Sequence, residues 1–289
     1  MKIKRSFFVG DEWLYFKIYC GEKTVDNLLS NEIETITTSF IKNKIIKKWF
    51  FIRYADPDNH LRLRFFVPKI ENIAKIIGDL NRKLKPHIES GAIWKITIDT
   101  YNREIERYGE SNIEIVENIF YNNSNLIVSD LKSLYEEKNR FLYGLLITDE
   151  LLTHFQYSVS DKYKLIDQFR NNYSIEFSAN KTTINQLKEK YRTISKDIRI
   201  TLNKENQDFN LIYQQVNKNY KDLDTEISKI LLLYKNNKLK VDVKDLVNSL
   251  LHMQINRLFI YNQRIYEFVL YDFLTQYYKS ELAKIGMSI

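Results

Sequence analysis

The order in which two apolar periods alternate along the first third of the chain restricts the fold more than any other feature. Trp13-Leu14-Tyr15-Phe16-Lys17-Ile18-Tyr19 is dense in aromatic and β-branched types and closes on Cys20-Gly21, which reads as a strand. Val25 to Asn43 carries Leu28, Leu29, Ile33, Ile36 and Phe40 near helical spacing. Trp49 to Tyr54 reads as a second strand, Ala55-Asp56-Pro57-Asp58-Asn59 as a turn, and Leu61 to Val67 as a third strand stopped by Pro68. Ile70 to Leu84 repeats the helical pattern, with Pro86 and Gly91 expected to break it. Trp94 to Tyr101 alternates as a fourth strand. The order β-α-β-β-α-β is that of a split βαβ, ferredoxin-like antiparallel sheet with its helices on one side.

Beyond about residue 110 strand patterns become rare. Ile184, Leu187, Tyr191, Ile194 and Ile198 form one apolar stripe, and Leu223, Ile227, Ile230 and Tyr234 another, with Asn236-Asn237 expected to end that helix. Leu258, Tyr261, Ile265 and Phe268 suggest one more helix. These stripes are too short for a coiled coil and suit packing within a domain. The fold class is therefore α+β: a sheet half over about 1–110 and a largely helical half over about 111–289. No Gly/Ser- or Pro-rich linker separates them, so 1–289 is expected to form a single domain with one core.

Composition excludes several function classes. Of 289 residues, 44% are apolar and 28% charged, which is ordinary for a globular protein. The net charge of +7 is spread over 44 basic and 37 acidic residues, which suggests mild attraction to anions and not a nucleic-acid footprint. The basic N-terminal stretch Met1 to Gly10 lacks a secretory apolar core, no later stretch is long enough to span a membrane, and the single Cys20 fits a reducing compartment; a cytoplasmic protein is expected. Glycine-rich phosphate loops, HExxH, CxxC and GxSxG are absent, and four scattered His give no metal-ligand spacing. No cofactor is expected.

Three segments carry candidate chemistry. In Leu61-Arg62-Leu63-Arg64-Phe65 the strand period puts Arg62 and Arg64 on one face, about 6.8 Å apart along the strand. Two neighbouring guanidiniums suit a carboxylate or phosphate; the alternative is two surface arginines answered by nearby acids. In Thr100 to Gly109, Arg103 and Arg107 share a helix face with Glu104 and Glu106 close by, which an ordinary salt-bridged helix start would also explain. In Ser249 to Arg257, His252 and Asn256 are i, i+4 neighbours, so Asn256 is placed to orient an acid/base imidazole; a hydrogen-bonded core histidine is the alternative.

Taken together, Trp13-x-Tyr15-x-Lys17-x-Tyr19, the block Trp49-Phe50-Phe51-Ile52-Arg53-Tyr54-x-Asp56-Pro57-x-x-His60-Leu61-Arg62-Leu63-Arg64-Phe65, the segment Tyr101-x-x-Glu104-x-x-Arg107-Tyr108-Gly109 and His252-Met253-x-x-Asn256-Arg257 resemble, in that order, one family. It is the C-terminal elimination domain of class I lantibiotic dehydratases, also found as stand-alone thiopeptide-type bacteriocin biosynthesis proteins. The resemblance implies a lyase that removes glutamate from glutamylated Ser or Thr of a ribosomal precursor peptide, giving dehydroalanine or dehydrobutyrine. It implies that a separate tRNA-dependent protein performs the glutamylation, so this chain would bind no tRNA itself; a homodimer is compatible with it. By motif, His252, Arg64 and Arg107 take catalytic roles, and Arg62, Arg103, Tyr101 and Asn256 contact substrate. Glu110 stands where many relatives carry a second glycine, which puts the geometry of the neighbouring arginine in question. Pyridine synthases, which join two dehydroalanines by a formal [4+2] cycloaddition, share the implied fold and are the alternative activity; a non-catalytic precursor-binding module is the other.

Overall fold

The computed structural model describes residues 3–286, so Met1 and Lys2 of the basic N-terminal stretch lie outside it. The chain divides into two compact units: the residues up to Ser133 together with Leu232–Ser249, and Leu134–Leu231 together with the residues from Leu250 onward.

The first unit opens with β1 (Ser6–Phe7) and β2 (Trp13–Cys20), followed by α1 (Glu22–Leu28), a π-helical segment (Leu29–Ile33) and α2 (Glu34–Lys42). Strands β3 (Lys48–Ala55) and β4 (Asn59–Phe66) form a hairpin, and α3 (Ile73–Glu89) leads to β5 (Ile93–Asp99) and the short β6 (Tyr101–Asn102). The main sheet has the order β3-β4-β2-β5 with every neighbouring pair antiparallel, the split βαβ arrangement expected from the sequence. Its central strand β2 is buried on both faces apart from the half-buried Lys17, which is why that segment reads as a nearly continuous apolar run.

The sheet's two faces have different fates. Leu61, Leu63 and Phe65 point to the helical side, where Phe65 meets Phe16 and the Phe40 of α2 at 6.0 and 6.2 Å between ring centroids. The opposite face carries Tyr15, Lys17, His60, Arg62, Arg64 and Phe50. Helix α4 (Ile105–Tyr108) and helix α5 (Ile113–Asp130) follow, and α5 covers part of that second face through Phe120, 5.5 Å from the Phe50 ring.

Two local expectations are corrected in this unit. Pro86 lies inside α3, which runs on to Glu89 before Gly91 turns the chain at φ +74. A proline in the last turn forfeits one backbone hydrogen bond, and the buried Ile76, Leu80 and Leu84 already anchor the helix. The fourth strand also ends early: the Asp99 side chain accepts from the Thr100 amide at 2.7 Å, and Tyr101 then pairs with Phe7 in a separate two-stranded sheet.

The second unit contains α6 (Glu137–His154), α7 (Val159–Glu176) and α8 (Lys181–Leu202). Helices α9 (Asn210–Lys235) and α10 (Val243–Leu258) each begin in one unit and end in the other, and α11 (Gln263–Lys284) packs against α6, α7 and α8. Asn237 adopts the left-handed conformation at φ +53 just past α9, as its sequence signal indicates. The expected helix through Leu258, Tyr261, Ile265 and Phe268 is two helices: α10 ends at Leu258, Asn262 turns the chain at φ +50, and α11 begins at the next residue. Asparagine tolerates that conformation, and the turn lets Phe259 stack on Tyr266 at 4.1 Å. Among the described residues no helix is long and apolar enough to cross a membrane.

Candidate active site

On the sheet face opposite α2, β4 sets the spacing of the two arginines and its neighbours set their surroundings. Register places Tyr15 of β2 and Phe50 of β3 on either side of Arg64. The Arg64 guanidinium carbon lies 4.3 Å from the Tyr15 ring centroid, 5.0 Å from that of Tyr101 and 5.2 Å from that of Phe50. The side chain is 6% exposed, and its Nε and Nη1 find no hydrogen-bond partner. Burial lowers its pKa, partly offset by Tyr15 and Tyr101. Arginine keeps its proton at any working pH, so this is a caged cation with N–H groups to spare.

Arg62 is held differently. Its Nε donates to His60 Nε2 at 3.1 Å, and its guanidinium carbon lies over the Tyr54 ring, 3.4 Å from the centroid. His60 in turn donates from Nδ1 to the Asp58 carbonyl at 2.8 Å. Burial lowers the His60 pKa, which keeps the ring neutral and its Nε2 an acceptor. Lys17, opposite Arg62 in register, is paired with Asp99.

The arginines after the last strand separate into two roles. Arg103 is buried and bidentate on Glu117, Nε to Oε1 at 2.7 Å and Nη2 to Oε2 at 2.8 Å, while its Nη1 donates to the Lys4 carbonyl at 3.1 Å. The same carboxylate accepts from the Tyr101 hydroxyl at 3.1 Å and from Lys48 at 3.3 Å. Arg103 is thus held in an internal ion cluster, which is joined to the Arg64 cage through Tyr101. Arg107 is more open: Nη1 contacts Glu104 at 3.3 Å, Nε donates to Ser249 Oγ at 3.1 Å, and the side chain is 37% exposed. The turn that presents it needs a glycine only at Gly109, where φ is +83 and a Cβ would stand 2.9 Å from the Asn112 side chain. Glu110 is not left-handed and pairs with Lys240 at 3.3 Å, so the chain accommodates a charged residue there.

In the helical unit, His252 projects from α10 with Nδ1 at 2.8 Å from Glu267 Oε2 of α11. Glu267 is fully buried, and its other oxygen accepts from the Tyr271 hydroxyl at 2.9 Å. Asn256 lies one turn along α10, half-buried. The group holding the imidazole at Nδ1 is a carboxylate from the next helix, which i, i+4 reasoning within α10 does not reveal. Its signal in the sequence is a lone acid inside the otherwise apolar run Tyr266-Glu267-Phe268-Val269-Leu270-Tyr271. The cage residues Tyr15 and Phe50 were likewise missed, because cross-strand register is needed to place them beside Arg64.

The sequence model of the family "Lantibiotic biosynthesis dehydratase C-term" matches residues 13–278. The chain belongs to this family. Among curated relatives, the subtilin biosynthesis protein SpaB of Bacillus subtilis is 27% identical over 267 residues, covering 89% of this chain and 24% of SpaB. The epidermin biosynthesis protein EpiB of Staphylococcus epidermidis is 22% identical, covering 90% of this chain and 25% of EpiB. The chain thus spans about a quarter of the length of these relatives. Among solved structures, the tRNA-dependent lantibiotic dehydratase MibB of Microbispora sp. 107891 superposes with a TM-score of 0.73 at 18% identity, over 97% of this chain and 29% of MibB. TsrL superposes at 0.69 with 12% identity over 94% of this chain and 95% of its own. TbtD, a pyridine synthase from thiomuracin biosynthesis, superposes at 0.63 with 11% identity over 95% of this chain and all of its own (100%). At these identities the superpositions speak for the fold alone.

Proposed function

We propose that this chain carries out the elimination half of lantibiotic-type dehydration, removing glutamate from glutamylated Ser or Thr of a ribosomal precursor peptide to leave dehydroalanine or dehydrobutyrine. The reading is carried by Arg64, a buried cation in an aromatic cage whose Nε and Nη1 lack a partner. Leaving such donors unmade is costly in a fold that needs them only for stability, and a carboxylate would satisfy both. Glutamate supplies that carboxylate, first as a side chain to bind and then as a leaving group to stabilise.

In β-elimination the Cα proton is removed, its electron pair becomes the Cα=Cβ bond, and the Cβ–O bond breaks with its pair departing on the carboxylate. Arg64 and Arg107 stabilise the anion that develops, Arg62 helps hold the glutamyl group, and His252 moves the proton. Tyr101 and Asn256 complete the substrate contacts. Arg103 acts at one remove, by clamping Glu117 and with it the Tyr101 hydroxyl. The glutamyl group is supplied by a tRNA-dependent glutamylating partner activity, whose need for glutamyl-tRNA fits a cytoplasmic reaction.

The test is reconstitution with that partner, the precursor, glutamyl-tRNA synthetase and tRNA, read by peptide mass. The wild type should yield dehydrated peptide, while Arg64→Ala and His252→Ala should accumulate glutamylated peptide. Undiminished dehydration in both variants refutes the assignment. Ring formation with loss of the leader peptide replaces it by cycloaddition.

A further inference from the structure

The buried Glu267 carboxylate does more than fill a core position, because hydrogen-bonding groups from three helices converge on it. His252 Nδ1 lies 2.8 Å from one oxygen, and the Tyr271 hydroxyl donates to the other at 2.9 Å. Tyr173 of α7 also hydrogen-bonds to it, and Arg264 of α11 feels its charge while packing on the Tyr173 ring at 4.6 Å and pairing with Glu176. Burial first, and the Glu267 charge second, hold both phenols above the ordinary tyrosine range, so each remains an O–H donor. With the Tyr271 and Tyr173 hydroxyls donating to it, the carboxylate meets His252 as a hydrogen-bond acceptor. Nδ1 of His252 must then carry the proton, which leaves a lone pair on Nε2.

We infer that Glu267 is a positioning residue that holds His252 in the Nδ1–H tautomer, so that Nε2 is the atom that takes the α-proton from the glutamylated residue. The inference rests on the elimination reading of His252. Nε2 gains the proton as the Cα–H pair forms the double bond and the Cβ–O pair leaves with glutamate. The imidazolium formed lies against the Glu267 carboxylate until Nε2 passes its proton to water or to the departing carboxylate. Glu267 touches no reacting atom in this scheme; it sets which nitrogen is bare and stabilises the charge that develops one ring-width away.

The experiment combines ring-nitrogen NMR of the 15N-histidine-labelled full chain with elimination kinetics on a synthetic glutamylated peptide. His252 signals are assigned by their loss in His252→Ala. The wild type should show a protonated Nδ1 and a bare Nε2. Glu267→Gln, which can present an amide N–H to Nδ1, should move the tautomer population toward Nε2–H and lower kcat by about 10²–10³-fold, within the range of general acid–base contributions, with KM little changed. Glu267→Asp should recover a substantial part of that loss, and Glu267→Gln combined with His252→Ala should be no slower than His252→Ala alone. A wild-type ring protonated at Nε2, or a Glu267→Gln variant with unchanged tautomer and rate, overturns the inference, and the first readout needs no Glu267 variant to fold. Equal losses in the Asp and Gln variants with the tautomer intact also overturn it, marking Glu267 as structural. If His252→Ala eliminates glutamate at the wild-type rate, the elimination reading of His252 itself fails, whatever its tautomer.

Discussion

Replacing Arg64 with methionine separates stability from function most sharply. The substitution keeps a long flexible side chain in the cage and removes the charge. In the native protein two N–H groups of Arg64 are buried without partners, at about 1–3 kcal/mol each. Three ring contacts oppose that cost at roughly 0.5–2 kcal/mol each. These ranges overlap, so the arginine is close to neutral for folding, whereas methionine would bury apolar surface with nothing to desolvate. We expect Arg64→Met to stabilise the sheet unit by about 1–3 kcal/mol, the scale on which well-packed hydrophobic side chains outdo buried ionic groups. The assay is built into the chain: Trp13, Trp49 and Trp94 are its only tryptophans, and all three lie in the sheet unit. Denaturant unfolding followed by tryptophan fluorescence therefore reports this unit alone. The same variant should eliminate no glutamate. A loss of more than about 2 kcal/mol would refute the reasoning, because it would mean that the guanidinium is a structural element whose contacts exceed its desolvation cost.

Glu117→Ala should do the opposite. It strips Arg103, Lys48 and Tyr101 of their shared acceptor, and a loss of about 3–5 kcal/mol in the same fluorescence titration is expected. Burial pushes the Cys20 thiol from 9.0 up to about 11, so alkylation at pH 8 should require unfolding. Because the folded state keeps that proton longer than the unfolded state, the contribution of Cys20 to stability is fully present below pH 9 and declines as pH rises toward about 11; a Cys20→Ala variant should lack that decline. Ser158 caps α7 by accepting from the Asp161 amide at 3.1 Å, and Ser158→Ala should cost about 1 kcal/mol in unfolding followed by circular dichroism.

Much of the sheet was legible because strand period and turn residues are local signals. The alternation in Leu61 to Phe65 placed Arg62 and Arg64 on the face opposite α2, and the order of patterns gave the topology; that α5 returns to cover part of the arginine face was not signalled. What depends on contacts distant in sequence was not legible. The partner of His252 is 15 residues away on another helix, and the Glu117 that consumes Arg103 is 14 residues beyond it. The return of Leu232–Ser249 to the sheet unit, which brings Ser249 to Arg107, leaves no mark in apolar periodicity. Where two local signals competed, tertiary packing decided. Pro86 stays inside α3 because buried leucines hold the helix on its N-terminal side, and the stripe from Leu258 to Phe268 is cut by an asparagine able to adopt a left-handed turn.

The central claim is that this chain, unaided, expels glutamate from an ester on a peptide side chain. It is tested most directly by incubating the purified protein alone with a synthetic precursor bearing a glutamylated serine and following peptide mass and free glutamate together. One equivalent of glutamate released for each dehydroalanine formed is the expected result. Recovery of the intact ester would contradict the claim, as would release of glutamate with serine regenerated, which is hydrolysis.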